Sequence, residues 1–74
     1  AISSFNKAIE LVPGQPVFLY NRGCAYCLKG DKTNALADLG KAISMNPRFK
    51  LQAPKDEDYK SLWEDEDFKK MTSQ

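Results

Sequence analysis

The chain has 74 residues and 8.3 kDa, with 42% hydrophobic residues, 11 basic against 10 acidic side chains, and no histidine. Without histidine there is no Ser/His or Cys/His nucleophile pair and no imidazole metal ligand, so an enzyme would have to run on carboxylates, Lys or Tyr alone. A net charge of +1 gives no strong general attraction to nucleic acid, and the lack of an apolar run of about 18 residues or a basic-then-apolar leader leads us to expect a soluble, cytoplasmic protein that does not engage a membrane.

A chain this short buries only about 60–65% of the surface its unfolded form exposes, so repetition or a partner is expected to support the core. Residues 1 to 13, Ala1-Ile2-Ser3-Ser4-Phe5-Asn6-Lys7-Ala8-Ile9-Glu10-Leu11-Val12-Pro13, align with residues 35 to 47 at an offset of 34. Five of the thirteen positions are identical and three more exchange one large apolar residue for another. Apolar residues at i, i+1, i+4, i+7 and i+8 in both copies predict one face of a helix, and each copy ends before a proline. Between them, Val17 to Lys29 predicts a second kind of helix, entered through Pro13-Gly14-Gln15-Pro16. Gly30 suits its left-handed C-terminal cap, and Asp31 suits the N-cap of the next helix. The short connections predict antiparallel neighbours.

Gly23 inside a helix costs roughly 0.5–1 kcal/mol relative to alanine, which implies close approach of a neighbouring helix. Ala8, Ala35 and Ala42 follow the same logic. Phe5, Tyr26, Leu36, Leu39 and Ile43 are the large residues expected to fill the space left by the small ones.

Leu19, Gly23, Tyr26, Ala35, Leu39, Ala42 and Pro47, at a 34-residue period, resemble the tetratricopeptide repeat. The resemblance implies an all-α, antiparallel helix-turn-helix solenoid. Residues 1–15 would be the second helix of a truncated repeat, 16–49 a complete repeat, and 50–74 a C-terminal capping segment. In that family the first helix of each repeat lines a concave groove for peptides. The resemblance therefore nominates Val17, Tyr20, Asn21, Cys24, Cys27 and Leu28 as partner-binding residues, with Tyr20 and Asn21 foremost. Tyr20-Asn21-Arg22-Gly23 also resembles the chaperone-binding members, in which such an asparagine belongs to a two-carboxylate clamp. The flanking first helices that would supply the clamp's bases are not in this sequence, which has only Lys50 and Lys55 nearby.

After Phe49 a shorter period takes over: residues 56 to 62, beginning Asp56-Glu57-Asp58-Tyr59, match residues 65 to 71, beginning Asp65-Glu66-Asp67-Phe68, at an offset of nine. Acids at each start suit helix N-termini, so two short helices are expected. They resemble the D-x-D-aromatic segments that close many bacterial tetratricopeptide proteins. Tyr59, Leu62, Trp63, Phe68 and Met71 would then cover the last repeat, with the acids facing water. Residues 1–55 carry eight bases and three acids, and 56–74 carry three bases and seven acids. An acidic tail that folds onto the basic body and competes with an acidic ligand is the alternative reading of this segment.

Cys24-Ala25-Tyr26-Cys27 has C-x-x-C spacing, but both thiols fall in a helix body rather than at an N-terminus, and no second pair exists to complete a zinc site. The acids of residues 56–67 lack the glycine and spacing of a calcium loop, and the four glycines are isolated. The sequence therefore points to a non-catalytic interaction module with no cofactor and no metal, whose partner is a protein or peptide bound in the groove. The competing reading is a structural cap or self-association element, with the exposed face of the N-terminal helix offering a homodimer surface.

Overall fold

The computed structural model describes residues 2–73. Helix α1 (Ile2–Leu11) is followed by α2 (Pro16–Lys29) and α3 (Lys32–Met45), antiparallel in succession. Proline at the first position of α2 begins the helix where its missing N–H costs nothing. Gly30, at φ 91°, ends it in the left-handed region, where its own amide reaches Cys27 O and the Asp31 amide reaches Tyr26 O. Asp31 then caps α3 through the Asn34 amide at 3.2 Å. The helix-turn-helix expected of residues 16–49 is thus built from the local signals that announce it.

The chain does not run straight on after Pro47. A single turn, α4 (Phe49–Gln52), and a 3-10 turn (Ala53–Lys55) lead into a 3-10 helix (Glu57–Leu62), and α5 (Glu66–Thr72) closes the described residues. Two acid-capped helices were expected here. Asp56 and Asp65 do cap them, but the first is 3-10 rather than α, and α4 was not foreseen. The ends of the 3-10 helix are held by i to i+3 bonds, from the Tyr59 amide to Asp56 O at 2.9 Å and from the Trp63 amide to Lys60 O at 3.2 Å, which is the 3-10 pattern.

The core is continuous from the repeat into this segment. Ala35, Leu39 and Ala42 of α3 are fully buried against Leu19 and Gly23 of α2, while Tyr59 and Phe68 are fully buried from the C-terminal side. Four aromatic rings form a ladder through it. Tyr20 stacks on Phe49 with centroids 4.4 Å apart, meets Tyr59 at 5.2 Å, and Tyr59 meets Phe68 at 6.1 Å. Trp63 and Met71, expected in the cap, are half-buried at its margin. Gly23 was expected to admit a neighbouring helix. It does, since an added Cβ would lie 3.3 Å from Ala35 O and 3.4 Å from Asp38 Cβ, but the tightest neighbour is the Tyr59 hydroxyl.

Candidate functional site

On α2, positions 17, 20, 21, 24, 27 and 28 share one broad side of the helix, as their spacing requires. The C-terminal segment divides that side in two. Tyr20, at 2% exposure, and Cys24 and Cys27 are buried beneath residues 56–62, whereas Val17 and Leu28 are exposed and Asn21 is half-buried. The solvent-facing groove expected at Tyr20, Cys24 and Cys27 is therefore occupied by the chain itself.

Polar contacts hold the covering segment in register. The Tyr20 hydroxyl donates to Asp56 Oδ2 at 2.8 Å, and the Tyr59 hydroxyl donates to the carbonyl of Tyr20, also at 2.8 Å. Asp56 simultaneously accepts the Asp58 amide, so one carboxylate caps the 3-10 helix and pins it to α2. Trp63 Nε1 donates to Ala53 O, which closes the loop that carries the segment back, and Lys32 forms an ion pair with Asp65. That pair raises the Lys32 ammonium and, with the amides of Phe68 and Asp67, lowers the Asp65 carboxyl below its ordinary range. It is the ion pair that joins the basic body to the acidic tail among the described residues.

Burial keeps the covered groups neutral. Desolvation, reinforced by Asp56, pushes the Tyr20 hydroxyl far above its ordinary value, and desolvation does the same to Tyr59. The Cys24 thiol is pushed up to about 12 by burial and then by the Asp56 charge. A thiol so shifted is a poor nucleophile and a poor metal ligand. Both cysteines are free, and Cys27 Sγ lies 3.1 Å from Ser61 Oγ.

Behind α2, Arg22 is clamped by Asp38 of α3, with Nε 2.6 Å from Oδ2 and Nη2 2.7 Å from Oδ1. Its other nitrogen, Nη1, donates to Asn6 Oδ1 of α1 at 2.8 Å, and its guanidinium lies over the Tyr26 ring at 5.8 Å. Arg22 thus ties the three helices together, and the Asp38 bond raises its pKa.

Two open cavities remain along the seam between α2 and the covering segment. Both are lined by Cys27 and Ser61. One extends to Gly30, Lys32, Leu62 and Asp65, the other to Leu28, Glu57, Asp58 and Lys60. Of these lining residues only Cys27 and Leu28 stood among the sequence candidates. Ser61 carried no signal of its own, and the pattern of the acids is already explained by capping.

Comparison with known proteins now bears on this geometry. Residues 16–49 match the family model described as tetratricopeptide repeat. The small glutamine-rich tetratricopeptide repeat-containing protein 2 of Mycosarcoma maydis is 39% identical over 49 residues, which is 66% of this chain and 14% of that protein. The chain thus spans about one seventh of the length of the curated relative it matches. No solved structure matches it. The 34-residue period, the glycine and alanine contacts between α2 and α3, and this match agree: residues 16–49 belong to the tetratricopeptide repeat family.

Proposed function

We propose that the chain is a non-catalytic protein-interaction module that holds a peptide segment of a partner along the uncovered edge of α2. The family of residues 16–49 supports protein binding in general. One observation carries the finer reading: along one edge of α2, Val17 and Leu28 stand exposed, with Asn21 between them. A partner segment laid there would bury two apolar side chains and meet an amide able to donate and accept. Tyr20, Cys24 and Cys27 contribute from beneath, as the floor that fixes this edge rather than as contact residues. The neutral, buried hydroxyls and thiol, with no histidine in the chain, support a non-catalytic role without cofactor or metal. No helix among the described residues is long and apolar enough to cross a membrane. We place the module in the cytoplasm with a protein as its partner rather than a nucleic acid.

Selection of a random phage-displayed peptide library against the chain tests this. Binders that lose affinity for a folded Asn21→Ala/Leu28→Ala variant support the edge as the site, and a library that yields none refutes the module.

A second reading rests on α1. Phe5, Ala8 and Ile9 occupy the repeat positions of Leu39, Ala42 and Ile43, which are buried, yet the α1 residues are only half-buried. This face suits self-association or stacking against a further repeat. Sedimentation equilibrium decides it: a dimer abolished by Phe5→Glu supports self-association, and a monomer at all concentrations removes it. The carboxylate clamp finds less support, since α4, which carries Lys50, is one turn and no first helix of a following repeat stands there.

A further inference from the structure

The seam cavities, about 290 and 520 Å³, lie between the C-terminal half of α2 and the 3-10 helix Glu57–Leu62 and share Cys27 and Ser61 in their lining, and the larger of them is the seam groove. Small residues make the cavities. Cys27, Gly30 and Ser61 leave room that longer side chains would fill, and the direct Cys27 to Ser61 contact sets the floor. Leu28, 70% exposed, forms an apolar wall of the larger cavity.

The facing wall is acidic. Carboxylate oxygens of Asp58 and Asp56 lie within 4.8 Å of each other and of the Cys24 sulfur. Asp56 has the Tyr20 hydroxyl and the Asp58 amide to stabilise its charge. The Asp58 and Glu57 carboxylates have no such donor among the described residues, and no Lys or Arg there forms an ion pair with Asp56, Glu57 or Asp58. Lys60, one 3-10 turn on, lines the same cavity and is exposed, as Glu57 and Asp58 are. Glu57 and Asp58 line the larger cavity against the single cation of Lys60, and this excess of negative charge favours an incoming cation over an anion. The larger cavity, about 520 Å³, lies in the range that accepts a few side chains.

We propose that this seam groove docks a partner segment bearing an apolar side chain beside a Lys or Arg, with the apolar group against Leu28 and the cation against Glu57 and Asp58. The proposal rests on the interaction-module reading and names the chemistry of its ligand.

The test titrates the ¹⁵N-labelled chain, in EDTA, with two capped hexapeptides that differ only in charge, one alternating leucine and lysine, the other leucine and glutamate. The lysine peptide is expected to shift the amides of Cys27, Leu28, Asp58 and Ser61. Its affinity should fall roughly threefold or more in Glu57→Gln/Asp58→Asn and weaken further as salt is raised. The glutamate peptide should leave those amides unmoved. Because Glu57 and Asp58 open a 3-10 helix, the double variant's circular dichroism is checked. Leu28→Ala, at an exposed position, supplies a second variant that must also weaken binding. Equal binding of both peptides, shifts that map elsewhere, or unchanged affinity in the variants would overturn the proposal. Library-selected peptides that bind the α2 edge without a basic residue would sink this inference alone, whereas a library without binders sinks the module itself.

Discussion

Replacing Gly23 with alanine is a perturbation for which local propensity and tertiary packing give opposite answers. On propensity alone the exposed-helix rule gives a gain of roughly 0.5–1 kcal/mol. In the fold, the new methyl would sit well inside van der Waals contact of the Tyr59 hydroxyl, with Ala35 O at 3.3 Å on its other side. Tyr59 cannot swing away cheaply. Its ring is fully buried between Tyr20 and Phe68, and its hydroxyl donates to Tyr20 O at 2.8 Å. Overpacking of this kind costs about 1–3 kcal/mol. Loss of the hydroxyl's acceptor adds about 1–3 kcal/mol if the ring is forced aside. We expect a net destabilisation of about 1–4 kcal/mol for Gly23→Ala, more for Gly23→Leu, read by thermal and urea unfolding at 222 nm. A kilocalorie corresponds to about 4–8 °C in a chain this small. Tyr59→Phe removes the clashing atom, so in that background the same substitution should be neutral or stabilising, a coupling visible in a double-mutant cycle. A Gly23→Ala variant that melts above the wild type in the Tyr59 background would show that the covering segment does not sit on α2 as described.

Arg22→Met should cost about 3 kcal/mol, because Asp38, its side chain 6% exposed, would be left buried without a countercharge, and Arg22→Met/Asp38→Leu should recover most of the loss on urea unfolding. Tyr20, Tyr59 and Cys24 all titrate higher in the folded chain than their ordinary 10.0, 10.0 and 9.0, so their contribution is present below those values and lost as pH rises through them. Circular dichroism should therefore record unfolding that begins above about pH 9 and steepens beyond 10; a fold unchanged at pH 12 would contradict the burial of these groups. Leu28→Ala, at an exposed position, should leave the unfolding free energy within about 0.5 kcal/mol of wild type, whereas Tyr20→Ala should cost about 3–5 kcal/mol as a buried aromatic truncation. Comparable losses in the two variants would invert the assignment of edge and floor.

Much of the repeat is legible in the residues themselves. Proline, glycine and aspartate punctuation at 16, 30 and 31 sets the helix ends, and the small residues at 23, 35 and 42 sit where helices meet. The C-terminal acids reveal two caps. The capping segment was expected on the last repeat, but what could not be read is that it lies over the Tyr20, Cys24 and Cys27 face of α2. Amphipathic spacing says that Tyr59, Leu62 and Phe68 need covering, but it does not say which face of the repeat they cover. The closure of Tyr20 depends on a hydrogen bond to Asp56 across 36 positions in the chain. A tyrosine on a helix face with a polar tip suits a ligand contact and a buried hydrogen-bonded core position equally well. The competing partner here is the chain's own aspartate. The seam groove was hidden for the same reason, since its walls come from α2 and from a 3-10 helix whose acids already had a local purpose.

Thiol accessibility tests the closure of α2 most directly, because both cysteines, Cys24 and Cys27, lie beneath the covering segment. Labelling with Ellman's reagent at about pH 8 in native buffer should proceed at least about a hundredfold more slowly than in urea, limited by opening of the segment. Tyr59→Ala should accelerate it. Prompt reaction of both thiols in the folded wild-type chain would contradict the closure and return Tyr20, Cys24 and Cys27 to an open groove.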